Sequence, residues 1–186
     1  MRRKLFLAAV FIALGVLVVT YFGWSLNLFG SLGPAEDSGW RLTVDGAVQH
    51  PLNLTLDEVL DMPKSTVEAT LFCVDSPNHP VAQGNWTGVR LSLLLNRAGV
   101  SSGAVKVAFY AQDGFSTDLT VTAAMGENII LAYERDGTIL QEGLRLVVPG
   151  RWGYKWISGV TRIELVDYDF KGYYESRGYS DEAEIP

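Results

Sequence analysis

Residues 5–24 read LFLAAVFIALGVLVVTYFGW, twenty consecutive residues without a charge. A helix of that length, at about 1.5 Å per residue, reaches across the roughly 30 Å hydrocarbon core of a bilayer. Charges resume only at Glu36, and Tyr21, Phe22 and Trp24 stand where an interfacial aromatic belt belongs. Arg2, Arg3 and Lys4 precede the run, so the positive-inside bias places the N-terminus in the cytoplasm and the body outside the cytoplasmic membrane. The rival, a cleaved signal peptide, calls for a shorter apolar core and a small-residue cleavage site. The paired arginines loosely resemble a twin-arginine export signal, a route for folded cargo. The organisation expected is an anchor or uncleaved signal at residues 1–25, a Gly/Ser/Pro-punctuated linker at 26–39, and one domain at 40–186.

The chain has 15 basic and 21 acidic residues, and three of the basic ones lie in the N-terminal cluster. A body this acidic lacks the positive field that a phosphate backbone requires, which argues against nucleic acid as a partner. The single cysteine, Cys73, excludes an intramolecular disulfide and a multi-cysteine zinc site.

Short β-branched segments dominate the body. Residues 40–44 alternate and run into Asp45-Gly46, a hairpin signal leading to a partner strand at 47–50. Thr55 and Glu58 have capping-box spacing for a short helix ending before Pro63. Residues 65–74 read as a strand delivering Cys73 near its end, followed by a polar loop at 75–80. Residues 91–98 form a short helix stopped by Gly99. Strands follow at 104–110, 115–121, 129–133, 144–148 and 160–166, with a second hairpin signal at Asp136-Gly137. Residues 180–186 read as a solvated acidic end. The fold class expected is α+β, a mainly β mixed domain.

Chemistry concentrates at two places. Cys73 sits where an apolar strand gives way to polar residues; it is a small buried hydrophobe, a nucleophile or a soft metal ligand. Residues 147–156 (VVPGRWGYKW) bracket Arg151 and Lys155 with glycines. That pattern suits an anion pocket, and equally an ordinary cationic loop. His50 reads as a turn residue and His79 as a surface histidine. HExxH, GxGxxG and GxxxxGK[ST] motifs are absent.

These features occur in order within sequence that resembles the molybdopterin-binding domain of the sulfite oxidase family. That family of oxidoreductases includes periplasmic methionine sulfoxide reductases. The matching stretches are 40–48 (WRLTVDGAV), 55–60 (TLDEVL), Cys73, 85–89 (NWTGV), 93–95, 130–134 (ILAYE), 144–150 (LRLVVPG), 153–155 (GYK), 172–175 (GYYE) and 178–181 (GYSD). The resemblance implies a molybdenum–molybdopterin cofactor, with tungsten as the substitute metal, ligated by the Cys73 thiolate. It also implies a grip on the pterin and its phosphate from Arg151, Gly153, Tyr154 and Lys155. Phe115, Asp113 and His79 are the further candidates for the pocket wall. Phe115 stands where sulfite oxidases place a tyrosine beside the metal, and a phenyl ring donates no hydrogen bond, which argues against sulfite. The function expected is oxo transfer on a small substrate, with electrons exchanged with a cytochrome or other redox partner. The rival is a cofactor-free partner subunit of the same fold.

Overall fold

The computed structural model describes residues 39–186. The apolar run at 5–24, the anchor at 1–25 and the linker up to residue 38 lie outside them. Among the described residues no helix is long and apolar enough to cross a membrane.

Among the described residues ten strands form two sheets. The first has the order β2 (Leu52–Thr55), β1 (Arg41–Gly46), β10 (Val160–Val166), β5 (Lys106–Ala111), β6 (Ser116–Thr120). Its one parallel pairing joins β1 to β10. The second has the order β3 (Lys64–Cys73), β4 (Ser76–Arg90), β7 (Ile130–Arg135), β8 (Thr138–Ile139), and β9 (Arg145–Val147) also pairs with β7. Both sheets feed one hydrophobic core: Leu42, Ile163 and Phe109 from the first, Trp86, Val89 and Leu131 from the second, all essentially inaccessible to water. Burial on that scale is the main force holding the domain together. The mainly β, mixed α+β class matches expectation.

The three α-helices among the described residues are short. In α1 (Leu56–Leu60) the capping box is complete: Glu58 N–H donates to Thr55 Oγ1 at 3.1 Å, and Thr55 N–H donates to Glu58 Oε2 at 2.8 Å. Helix α2 (Leu91–Ala98) buries Leu91, Leu94, Leu95 and Ala98, and ends at Gly99 in the left-handed region. Helix α3 (Val121–Ala124) is a single turn capped by the Thr120 hydroxyl.

Three expectations are corrected. Asp45-Gly46 does not turn straight into a hairpin. Gly46 ends β1 against β10, where a Cβ would lie 2.2 Å from the Leu165 carbonyl oxygen, and the backbone of Gln49 and His50 bonds to the end of α2. The strand antiparallel to β1 begins only at Leu52. Residues 76–80 are not a loop: they begin the fifteen-residue β4, which pairs with β3 as far as Cys73↔Ser76. Its prolines are tolerated because this stretch is exposed and irregularly paired, with register shifts around Phe72.

The acidic tail is not a free solvated end. Trp152 N–H donates to Ala183 O at 2.8 Å, Ile185 N–H to Gly150 O at 3.0 Å, and Ala183 is fully buried. Asp181 bonds Lys106 Nζ at 2.6 Å and Lys171 Nζ at 2.8 Å. Burial raises the Asp181 carboxyl, but these ammonium groups outweigh it and hold it at about 2, below the ordinary 3.8. A depressed carboxylate stabilises the fold fully above its unfolded pKa and loses that contribution as pH falls through the folded one. The stability gap between wild type and Asp181→Asn in urea titrations should therefore shrink from pH 6 to pH 2.5. A gap constant across that range would contradict the assignment.

Candidate active site: a cleft at Cys73

The end of β3 and the chain after β9 meet at one place. Strand β9 leads through Pro149 to a 3-10 turn, Gly153–Lys155, which packs against both β3 and β6 and so joins the two sheets. Gly153 permits this contact. A Cβ there would stand 2.8 Å from the carbonyl oxygen of Phe72, the residue before Cys73. Because the obstacle is backbone, Gly153→Ala must push the turn away from β3. The expected cost is about 1–3 kcal/mol of stability, read as a lowered Tm; an unchanged Tm would show that the turn is not held against β3.

Between these elements lies a cleft of about 550 Å³, within the range of cofactor sites. Its apolar walls are Leu71, Val81, Leu140, Trp86 and Trp156, and the two indoles meet edge to face at 5.8 Å. Its polar groups are Cys73, Asp113, Arg135, Glu142, Arg145, Ser158, Tyr154 and Tyr174, and Phe115 also lines it. Cys73 is partly accessible, so the cleft can present its thiol to a ligand.

The two arginines differ. Arg145 is tied to Glu142 at 2.9 Å and donates to Trp156 O at 3.1 Å. Burial raises the Glu142 carboxyl, but its own backbone N–H and Arg145 outweigh this and hold it below the usual range. Arg135 makes no ion pair among the described residues and stacks over Trp86 with its guanidinium carbon 5.3 Å from the ring centroid. Tyr154 donates its hydroxyl to Ser180 O at 2.7 Å. Burial, with Glu175 and Asp181 nearby, pushes it up to about 12. Burial also raises the Tyr174 hydroxyl, as do the charges of Asp75, Tyr179 and Cys73.

Of the residues singled out in the sequence, Cys73, Asp113, Phe115, Gly153 and Tyr154 share this cleft. Lys155 does not line it. Its side chain is wholly buried, with Nζ 2.6 Å from Glu175 Oε1, 3.3 Å from Asp118 Oδ1 and 2.9 Å from the Asp118 carbonyl oxygen. Arg151 pairs with Glu182 and with the carbonyl of the same residue, and its backbone forms an isolated β-bridge with Glu184, so the tail engages it. His79 is exposed on β4 and off the cleft. Sequence reasoning missed Arg135, Arg145, Trp86 and Tyr174 as site residues. Arg145, Trp86 and Tyr174 fall within the stretches that carry the resemblance, and the Asp136-Gly137 turn marks the strand end that aims Arg135.

These residues suit a molybdenum–pterin group. Among the described residues no cluster of three His, Cys, Asp or Glu side chains is arranged to hold a metal. A metal at Cys73 therefore has one soft protein ligand and needs further donors from a cofactor that brings its own sulfurs. Arg135, on the cleft wall and without an ion pair among the described residues, would offer positive charge to an anionic group of such a cofactor.

The model of the oxidoreductase molybdopterin binding domain matches residues 31–174. The chain belongs to that family. The molybdopterin-binding domain is thus an oxidoreductase enzyme domain, whose family membership implies a molybdenum cofactor. It is 29% identical over 144 residues to the uncharacterized oxidoreductase YuiH of Bacillus subtilis, covering 75% of this chain and 72% of that one. It is 30% identical over 174 residues to an NADH nitrate reductase of Volvox carteri, covering 74% of this chain and 20% of that one. It superposes on the sulfane dehydrogenase SoxCD of Paracoccus pantotrophus with a TM-score of 0.62 and 25% identity, covering 69% of this chain and 38% of that one. The domain thus spans about a fifth of the length of the nitrate reductase it matches.

Proposed function

We propose that this chain is a membrane-anchored, extracytoplasmic molybdenum oxidoreductase subunit that transfers an oxygen atom to or from a small substrate. Electrons pass to or from a cytochrome or another redox partner. The observation that carries this reading is the Cys73 thiol on the wall of a 550 Å³ cleft that also holds a cation free of any ion pair among the described residues, Arg135.

When bound, the molybdenum–pterin group supplies two-electron oxo-transfer chemistry, and the protein supplies binding, orientation and electrostatics. Cys73, as thiolate, ligates the metal, and the same donor accepts tungsten. Arg135 and Arg145 attract the pterin phosphate. Arg145 is pre-oriented by Glu142, and Arg135 by the Trp86 face. Gly153 and Tyr154, which line the cleft from the 3-10 turn, would help to hold the group. Lys155 acts through that turn, as a buried anchor rather than a contact. Leu71, Trp86 and Trp156 exclude water from one side, which strengthens electrostatic interactions inside the cleft. Asp113 and Phe115 form the wall toward the substrate. The anchor and the extracytoplasmic placement rest on residues 2–24, with their basic start and apolar run.

The test is elemental analysis, with assay of the fluorescent oxidised pterin, on full-length protein purified from a host with an active molybdenum cofactor pathway. About one molybdenum and one pterin per chain is the result expected. Protein free of both would overturn the reading and leave a tethered partner subunit.

A further inference from the structure

The hydrophobic core draws no residue from beyond Leu165. Residues 167–186, the segment after β10, contain one 3-10 turn, Glu175–Arg177, and no strand. Three backbone hydrogen bonds tie this segment to the rest of the domain: Tyr173 N–H to Ser116 O, Trp152 N–H to Ala183 O and Ile185 N–H to Gly150 O. Arg151 to Glu182 and Tyr154 to Ser180 add side-chain bonds. Three ring contacts join them, Phe170 with Tyr110 at 5.8 Å, Tyr173 with Phe115 at 5.8 Å and Tyr174 with Tyr154 at 5.3 Å.

The rest of the hold is ionic. Lys106 of β5, Asp118 of β6 and Lys155 are almost wholly buried. The segment brings Asp181, Asp169 and the Phe170 carbonyl to Lys106 Nζ at 2.6, 2.8 and 2.8 Å, and Glu175 to Lys155 Nζ at 2.6 Å. The match is incomplete. Glu175 Oε2 and Asp181 Oδ1, both on the segment, are buried without a hydrogen bond, a cost that access to water removes. Lifting the segment therefore hydrates charged groups and leaves the apolar core covered, so it needs less free energy than opening either sheet.

The segment reaches the cleft through Tyr174. That residue shares the cleft lining with Tyr154 and Phe115, and its neighbour Glu175 is the carboxylate clasped by Lys155. Release of that clasp frees the Tyr174 side of the wall.

We infer that residues 167–186 form a strap that opens as a unit while both sheets stay folded. Its opening uncovers the Tyr174 side of the Cys73 cleft and lets a bulky molybdenum–pterin group enter or leave. The inference rests on the cofactor reading for the identity of the ligand, but not for the motion. A ligand that fills the cleft under the closed strap must in turn oppose its opening.

The test is hydrogen–deuterium exchange, read by mass spectrometry, on full-length protein from hosts with and without cofactor synthesis. In cofactor-free protein, peptides spanning 168–181 should exchange about a hundredfold faster than β5 and β10. Asp181→Asn should speed the strap about tenfold and leave β5 and β10 within about twofold. Loading should slow the strap about tenfold. Molybdenum release from loaded protein, followed by elemental analysis after timed desalting, should be about tenfold faster in Asp181→Asn, because the metal leaves by the route it entered. A strap that exchanges only as fast as β5 and β10 overturns the inference. So do equal strap rates in loaded and cofactor-free protein, and equal metal release in wild type and Asp181→Asn. A first preparation without molybdenum defeats the cofactor reading and the ligand assigned to the strap, while the opening is still judged on the cofactor-free protein.

Discussion

Replacing Lys155 with methionine is expected to lower the unfolding free energy by about 3–5 kcal/mol, the cost of stranding a buried charge partner. For a domain of this size that is a fall in Tm of roughly 10 °C. The Glu175 side chain is 1% exposed, and without Lys155 it keeps only the Thr117 hydroxyl as a donor. Its second oxygen, Oε2, already has no partner. Asp118 fares better, because Lys106 Nζ lies 2.7 Å from its other oxygen. The damage thus centres on Glu175, and adding Glu175→Gln should recover part of the loss by removing the stranded charge. Urea and thermal unfolding of both single variants and the double variant measure this. Additive losses would show that Lys155 and Glu175 do not act as a pair. The result bears on function because this pair fastens the 3-10 turn that begins at Glu175, next to Tyr174, to the turn carrying Gly153 and Tyr154.

Much of the domain was legible where a local signal coincides with the tertiary demand. Residues 91–98 carry a helical apolar stripe and a glycine stop, and α2 has those bounds. Asp136-Gly137 is a hairpin turn with positive φ at both residues, joining β7 to β8. The failures have a common cause. At Asp45-Gly46 the glycine serves the close approach of β10, a distant strand, rather than a tight turn. Prolines at 77 and 80 suggest a loop, yet exposed, irregular pairing accommodates them in β4. The tail is acidic because lysines 106 and 171 await it, and nothing local to residues 180–186 reveals those partners.

The candidate site divides the same way. Cys73 stood out through its uniqueness and its position at a strand end. Lys155 and Arg151 stood out through charge in a glycine-bracketed loop, but charge alone does not show whether a side chain faces a cleft or a carboxylate. Both are claimed by residues 20 or more positions further on, Glu175 and Glu182. Arg135 was inconspicuous as one of many surface arginines, and only the fold sets it over Trp86. Tyr174 had no signal of its own in an aromatic-rich segment.

The central claim is that Cys73 holds the metal. The thiol is only partly buried and makes no side-chain hydrogen bond among the described residues, so Cys73→Ala should leave the Tm of cofactor-free protein within a few degrees of wild type. In contrast, removing the one soft donor at the cleft should abolish metal retention. The decisive measurement is molybdenum content per chain, by elemental analysis, of full-length wild type and Cys73→Ala purified side by side from a host with an active cofactor pathway. The account predicts about one metal per chain in the wild type and almost none in a folded variant. A folded Cys73→Ala protein that retains wild-type molybdenum would contradict it.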